Sequence, residues 1–515
     1  MFDTKLPLHK SMTQIHTWAG VLLACILFAV FWTGTLTIFD KEIDRWMQPS
    51  LRLAAAPAVS LDKIVDQIEQ DTTGVTSFSI TMPTSRRHAL DVSYMSDEER
   101  VSALIDPTSG EALPTIDTFG ASDFFFTFHH NLLITWAPFA LGTWITSLAA
   151  VGMLMLIITG IVIHKKLIAD FFTLRPERKR RRLLLDLHNL SSVVALPFHI
   201  LLPLTALIIN FGYFLPLAAE APQRLTPTEE RRDEASGQAA AMHSIDVLVR
   251  RAEAEWTAVD GAPQRVQTVA AQHWGDASAR LTLSQRFPGR SVSIDRHSIT
   301  FAAASGKVIE RASAGPVTVA RKWLEGFHWM QWDHVALRWL MFVAGLLGCV
   351  MIATGLLFWL ESRRKVHAEE DGSWRMVQAL TIGSTTGLIA ASGAFLIANR
   401  LLPAEASLLG QDRALLEAWV FFLLWVGMCI HAALRGSAAW AEQAIVIAGI
   451  ALAAVTLNAL TTGDHIAAAL GRGQIAIAII DLAMCIGAVI ATLAARRLWI
   501  GPSLAALHGR GTAGV

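Results

Sequence analysis

The sequence predicts an integral membrane protein, mainly α, with eight transmembrane helices. Two small periplasmic α+β domains are inserted in a pseudo-two-fold four-helix bundle, and four more helices follow it. Three observations predict this class. The 515 residues are 53% hydrophobic and 17% charged, with mean hydropathy +0.43, whereas soluble domains carry about 25% charge. Eight apolar stretches approach the ~20 residues that cross a bilayer. And the chain up to about residue 360 reads span–insert–span twice over.

In order, residues 1–40 hold an N-terminal tail and the first span, about Ile15–Phe39, too long for a signal-peptide core and read as a retained anchor. Residues 41–125 form the first insert. Ser60-Leu-Asp-Lys opens an amphipathic helix, alternating strands run over Thr76–Thr81 and His88–Tyr94, and Asp106-Pro-Thr-Ser-Gly110 closes with a turn. Residues 126–166 carry the second span (Pro138–Ile163), 167–183 a basic loop, and 184–212 the third span (Leu184–Phe211). Residues 213–330 are the second insert, with a helix from Ser244, strands at Gln264–Ala270, Arg280–Ser284 and Val292–Asp295, and a turn at Ala304–Lys307. Residues 331–362 hold the fourth span (Val335–Leu360), and 363–515 four further spans near 377–398, 415–434, 441–460 and 474–495.

Short-loop basic residues set orientation. Lys165, Lys166, Arg175 and Arg178–Arg182 follow span two, Arg363–Lys365 follow span four, and Arg496-Arg497 follow span eight. All fall on one side if both termini are cytoplasmic, which puts both inserts outside, as at a bacterial inner membrane. Lys+Arg 43 balances Asp+Glu 43, so charge gives no hint of nucleic acid. Cys25, Cys349, Cys429 and Cys485 each sit in an apolar run, against a disulfide framework, and the absence of C-x-x-C-H excludes covalent c-type haem. Gly509-Arg-Gly-Thr-Ala-Gly514 matches a dinucleotide fingerprint by composition only, since no strand precedes it.

The histidines carry the chemistry. His16 starts span one and Thr33-Gly34 follows; His188 starts span three and Thr205-Ala206 follows at the same offset. Phe128-His129 precedes span two, which ends in Thr159-Gly160; Phe327-His328 precedes span four, which ends in Thr354-Gly355. One interfacial histidine is usually a polar anchor. Four at repeat-related positions, two at each face of a bundle, suggest two bis-histidine b-type haems, with His16 and His188 inside and His129 and His328 outside. His130 and His334 are alternative outer ligands or second donors, and His164 is an interface residue or an alternative inner ligand. His199 shares a helical face with His188 about 16 Å away; it can ligate, hydrogen-bond or line a proton or quinol site. Pro197 and Pro203 should distort its helix. Arg338 can pair with a haem propionate or snorkel to the interface. Trp329, Trp332 and Trp339 fit an interfacial belt. In the extension, His431 reads as an anchor and Asp464-His465 as a solvated loop pair.

His16-Thr-Trp-Ala-Gly20, Phe128-His-His-Asn-Leu-Leu133, Asp186-Leu-His188 and Phe327-His328 with Thr354-Gly355 and Trp359 resemble the PepSY-associated transmembrane proteins over about residues 10–365. Asp106-Pro-Thr-Ser-Gly-Glu-Ala-Leu113 looks like the closing hairpin of a PepSY unit. The family includes inner-membrane siderophore reductases of the ferrioxamine and pyoverdine types. The resemblance implies haem-mediated reduction of ferric siderophores at the periplasmic face, with His16, His188, His129 and His328 as axial ligands. Membrane quinol or a cytosolic reductase would supply the electron, as no nucleotide or flavin motif is present. The chain departs from the family at His199, at His164 and at Ala206, and the last four spans are not covered. Two other readings stay open: an iron or siderophore transporter component, and a non-catalytic PepSY regulatory protein.

Overall fold

The computed structural model describes residues 8–54, 60–96, 99–164, 180–214, 235–286, 292–294, 297–312, 315–364 and 372–510, with side chains to residue 499. Most of the 167–183 basic loop, up to residue 179, and most of the 509–514 glycine pattern lie outside the described residues; the loop's last residues, from Arg180, are helical.

In chain order the helices are α1 (Leu8–Thr37), α2 (Asp40–Met47), α3 (Leu61–Asp71), α4 (Gly120–Asn131), α5 (Leu141–Ile163), α6 (Arg180–Val194), α7 (Leu196–Ile209), α8 (Ile245–Asp260), α9 (Pro316–Trp329), α10 (Val335–Arg363), α11 (Gly372–Ile382), α12 (Leu388–Leu401), α13 (Arg413–Arg435), α14 (Ala439–Thr462), α15 (Ile466–Gly471) and α16 (Ile475–Arg510), besides single turns. The strands are β1 (Ser77–Thr81), β2 (Leu90–Ser96), β3 (Glu99–Ile105), β4 (Val266–Gln272), β5 (Arg280–Gln285), β6 (Ser298–Ala302) and β7 (Lys307–Ala312). Two compact units result. One comprises Met1–Met47, Ile116–Leu207 and Trp339–Val515; the other comprises Gln48–Thr115 and Ile208–Arg338.

The first unit is helical and membrane-spanning. Among the described residues six helical runs are long and apolar enough to cross, or seven when α6 and α7 count as one bent span. Eight crossings are expected from the sequence. The difference lies in Arg413–Thr462, taken as one run. Gln443 Nε2 donates to Met428 O at 2.8 Å, although fifteen residues of straight helix would separate them by about 22 Å. The chain therefore folds back at Gly436–Ala438, and α13 and α14 are antiparallel neighbours.

The third span is not the straight helix on which His188 and His199 share a face. It bends by 66° between α6 and α7, at Ala195. Pro197 has no N–H for the carbonyl of Val193 and its ring crowds that carbonyl, which breaks the ladder there. The run from α11 to α12 passes through a π-turn at Gly383–Gly387, where Trp425 Nε1 donates to the loosened Gly383 carbonyl at 2.9 Å.

Buried polar clasps fasten the C-terminal helices to the rest of this unit. Arg413 and Glu417, 2% and 0% exposed, pair at 2.5 Å, and Glu417 also accepts from Thr118 and Asn399. Trp46 Nε1 donates to Asp481, which Asn458 also reaches. Asp464 is buried and paired with Arg472. It is not the solvated loop residue the sequence suggests, because the short α15 turn folds it inward.

The second unit corrects the domain scheme. The inserts do not form two separate sheets: β1 pairs with β4, giving one seven-stranded antiparallel sheet in the order β3-β2-β1-β4-β5-β6-β7. Pairing β1 with β4 covers an edge that each insert alone would leave open. Along the central strands burial alternates, and the inward residues, among them Ile80, Val92, Val269, Leu281, Leu283 and Phe301, pack with Leu61, Ile64, Ile245, Leu248 and Trp256 of α3 and α8. The strand expected at Val292–Asp295 is absent at 292–294 and lies instead at Ser298–Ala302. The Asp106–Gly110 turn forms as expected, with Gly110 at φ 78° and its N–H on Asp106 O.

Candidate functional site: histidine seats in the helical unit

Three histidines share one seat. His16 on α1 places Nδ1 3.0 Å from Leu156 O on α5. His188 on α6 places Nδ1 2.8 Å from Met351 O on α10. His129, in the last turn of α4, places Nδ1 2.8 Å from Val30 O on α1. Each carbonyl lies four residues before a glycine on which the ring rests: Gly160, Gly355 and Gly34. A Cβ there would come within 3.3, 3.2 and 2.6 Å of the respective ring. The preceding threonine turns its hydroxyl back onto its own helix in every case, Thr159 to Met155, Thr354 to Val350 and Thr33 to Ala29. The Thr-Gly repeat is thus the seat of the histidine ring.

The seat fixes the tautomer. A carbonyl oxygen only accepts, so Nδ1 carries the proton and the lone pair stands on Nε2. This is the orientation that metal-bound histidines adopt through their outer-shell carbonyl. The helix carrying His129 is itself positioned: Asp44 Oδ1 accepts from Ala121 N and Ser122 N at 2.7 and 3.0 Å, capping α4 from α2.

The His16 and His188 rings lie edge to face, with centroids 6.3 Å apart and planes at 78°. A metal–imidazole bond is about 2.0–2.1 Å and a centroid lies roughly 1.1 Å behind its donor nitrogen, so one ion gripped from both sides sets centroids about 6.2–6.4 Å apart. The pair meets that spacing. Among the described residues no group of three or more His, Cys, Asp or Glu is placed to hold a metal ion. A two-imidazole clamp then suits an ion whose remaining positions another chelator fills, as a porphyrin does.

The rings line a cavity of about 400 Å³ within this unit. Its walls are largely apolar, with Ala24, Leu27, Met153, Ile352 and Leu356, and no Asp or Glu lines it. His199 also lines it and is 1% exposed. Its ring lies edge-on to Phe31 at 5.8 Å, beside Gly348. His164, just past α5, lines the same cavity.

The remaining sequence candidates fall elsewhere. His130 stacks on Phe126 at 6.1 Å. His328 lies in α9 of the sheet unit; α9 abuts residues 292–294, where Val292 O leaves no room for a Cβ on Gly326. In the same unit His334 is exposed and Arg338 buried. Of the tryptophan belt, Trp332 is buried while Trp329 and Trp339 are exposed. His431 pairs with Glu442 at 3.0 Å, and His465 Nδ1 accepts from Ala468 N as the cap of α15. Sequence reasoning missed the carbonyl acceptors, which no side-chain pattern marks, and the far end of the cavity at Trp359, Ser362 and Arg363.

The fold and this site define a multi-pass helical membrane protein with a histidine-clamped cavity in its bundle and a separate antiparallel sheet unit. The PepSY-associated TM region matches residues 13–362, and the chain belongs to that family. It is also similar to an uncharacterised protein of Pseudomonas aeruginosa, 26% identical over 388 residues, covering 69% of this chain and 89% of that protein.

Proposed function

We propose that this protein is a b-type haem oxidoreductase of the bacterial inner membrane that reduces ferric siderophores at the periplasmic face. The chain would cross eight times, with α13 and α14 as separate spans, both termini cytoplasmic and the sheet unit outside. The observation that supports the reading is the His16–His188 pair, with ring centroids 6.3 Å apart and both Nδ1 atoms tied back to carbonyls.

His16 and His188 would hold one haem, and His129 would ligate a second. Bound there, haem supplies reversible one-electron chemistry. The chain's part is to fix both imidazoles as neutral Nε2 donors, to keep the cavity apolar and so set the potential by ligand and burial. The substrate gains one electron, Fe(III) to Fe(II), and the softer ion is released from hard oxygen ligands. The electron comes from membrane quinol or a cytosolic reductase, and the metal is handed on to iron uptake. No acid–base or nucleophilic side chain is needed.

The test is the visible spectrum of protein purified from haem-replete cells, with reduced protein mixed anaerobically with a ferric siderophore and an Fe(II) chelator. Low-spin b-type bands that reoxidise as Fe(II) appears support the reading. A protein without haem contradicts it.

A further inference from the structure

The cavity is polar at one end in a one-sided way. Trp359 Nε1 and Ser362 Oγ, both shielded from solvent, have no hydrogen-bond partner, and both residues line it together with Arg363. Ser362 is unusual among the bundle's hydroxyls. Ser191, Ser192 and Thr354 each return a hydroxyl to the carbonyl four residues back, the ordinary behaviour in a helix; Ser362 does not. The Arg363 guanidinium lies over the Trp359 ring at 4.5 Å and the Trp18 ring at 5.7 Å, which holds it at this end.

An indole N–H, a hydroxyl and a guanidinium are all able to donate, and no carboxylate in the lining opposes them. Buried donors left unpaired cost about 1–3 kcal/mol each, so the set calls for an acceptor-rich, anionic occupant. Between this end and His199 the walls are mostly apolar, the exceptions being the clamp, Asn189 and Ser192, and the Ser192 hydroxyl already donates to the His188 carbonyl. A flat molecule with acid groups along one edge and hydrocarbon along the other fits that division.

We infer that Trp359, Ser362 and Arg363 receive the propionate carboxylates of the haem held by His16 and His188, directing its acidic edge to the Arg363 end of α10 and its apolar edge toward His199. This rests on the haem reading above. It makes the three residues positioning groups that select the free acid and set the direction of insertion.

The experiment titrates apoprotein in detergent with iron protoporphyrin IX and with its dimethyl ester, following the Soret band. Wild type is expected to bind the free acid about tenfold or more tightly than the ester, the worth of one or more charge-assisted hydrogen bonds. The combined variant Trp359→Phe, Ser362→Ala, Arg363→Gln should bind both alike while keeping a low-spin bis-imidazole spectrum. Arg363→Gln alone should lower the midpoint potential, because a cation beside the acid edge favours the reduced state. Equal binding of acid and ester by wild type, or undiminished discrimination in the combined variant, overturns the inference and leaves the clamp intact. Failure of wild type to bind either compound overturns the haem reading itself.

Discussion

Asp62 and Asp246 cap each other's helices. Asp62 accepts from Ser244 Oγ and Ile245 N at 2.6 Å each, while Asp246 accepts from Ser60 Oγ at 2.5 Å and Leu61 N at 3.0 Å. The helix starts of the two inserts are therefore joined by a reciprocal exchange, on the same unit in which β1 joins β4. The internal repeat of the sequence appears here as a local two-fold relation.

Asp62→Ala or Asp246→Ala should each destabilise the sheet unit by about 1 kcal/mol, the usual cost of a lost cap. Each variant strips acceptors from the other insert's helix, so the double variant should cost less than the sum of the singles. Thermal unfolding of the detergent-solubilised protein, followed by circular dichroism, measures this.

In the same unit Asp276 accepts from Ser278 and Ser236 side chains, and these bonds hold its carboxyl well below the usual carboxylate range. A depressed value in the folded state contributes stability above the unfolded carboxylate pKa of about 3.9, lost as pH falls through the folded value. Asp276→Asn should weaken the unit at pH 7 and flatten its acid dependence, read from melting curves across acid pH.

Gly34→Ala should disturb His129 more than Gly160→Ala disturbs His16. The added Cβ would lie 2.6 Å from the His129 ring but 3.3 Å from that of His16. Low-temperature electron paramagnetic resonance resolves distinct low-spin centres. The outer signal should shift or vanish in Gly34→Ala with the inner one retained, and Gly160→Ala should leave both nearly unchanged.

Arg413 and Glu417 are both buried, so Arg413→Met leaves a carboxylate stranded. About 3–5 kcal/mol of stability should be lost, with helices α12 and α13 and the Asp117–Thr118 segment they hold loosened first. Proteolysis and hydrogen exchange in nanodiscs report it. The double variant Arg413→Met, Glu417→Leu should recover much of the loss.

The membrane helices were legible because each is an uninterrupted apolar run, and Ser60 and Ser244 were legible as helix starts because capping is local chemistry. The pairing of β1 with β4 was not: two inserts far apart in sequence share a sheet through an edge that looks the same whichever partner fills it. His16, His188 and His129 stood out by type and register. Their seats did not, since Leu156, Met351 and Val30 act through backbone carbonyls. The 66° bend between His188 and His199 was foreshadowed by Pro197, but a proline gives no angle. Trp359 and Arg363 read as family motif and topology marker, because only the cavity shows that the Trp359 indole lacks a partner and that Arg363 lies over its ring.

The most direct test of the central claim is haem stoichiometry and optical spectrum in wild type, His16→Ala and His188→Ala. The account predicts two low-spin haems per chain in wild type, and loss of the same one from either variant. Full haem loading in both variants, with unaltered bands, contradicts it.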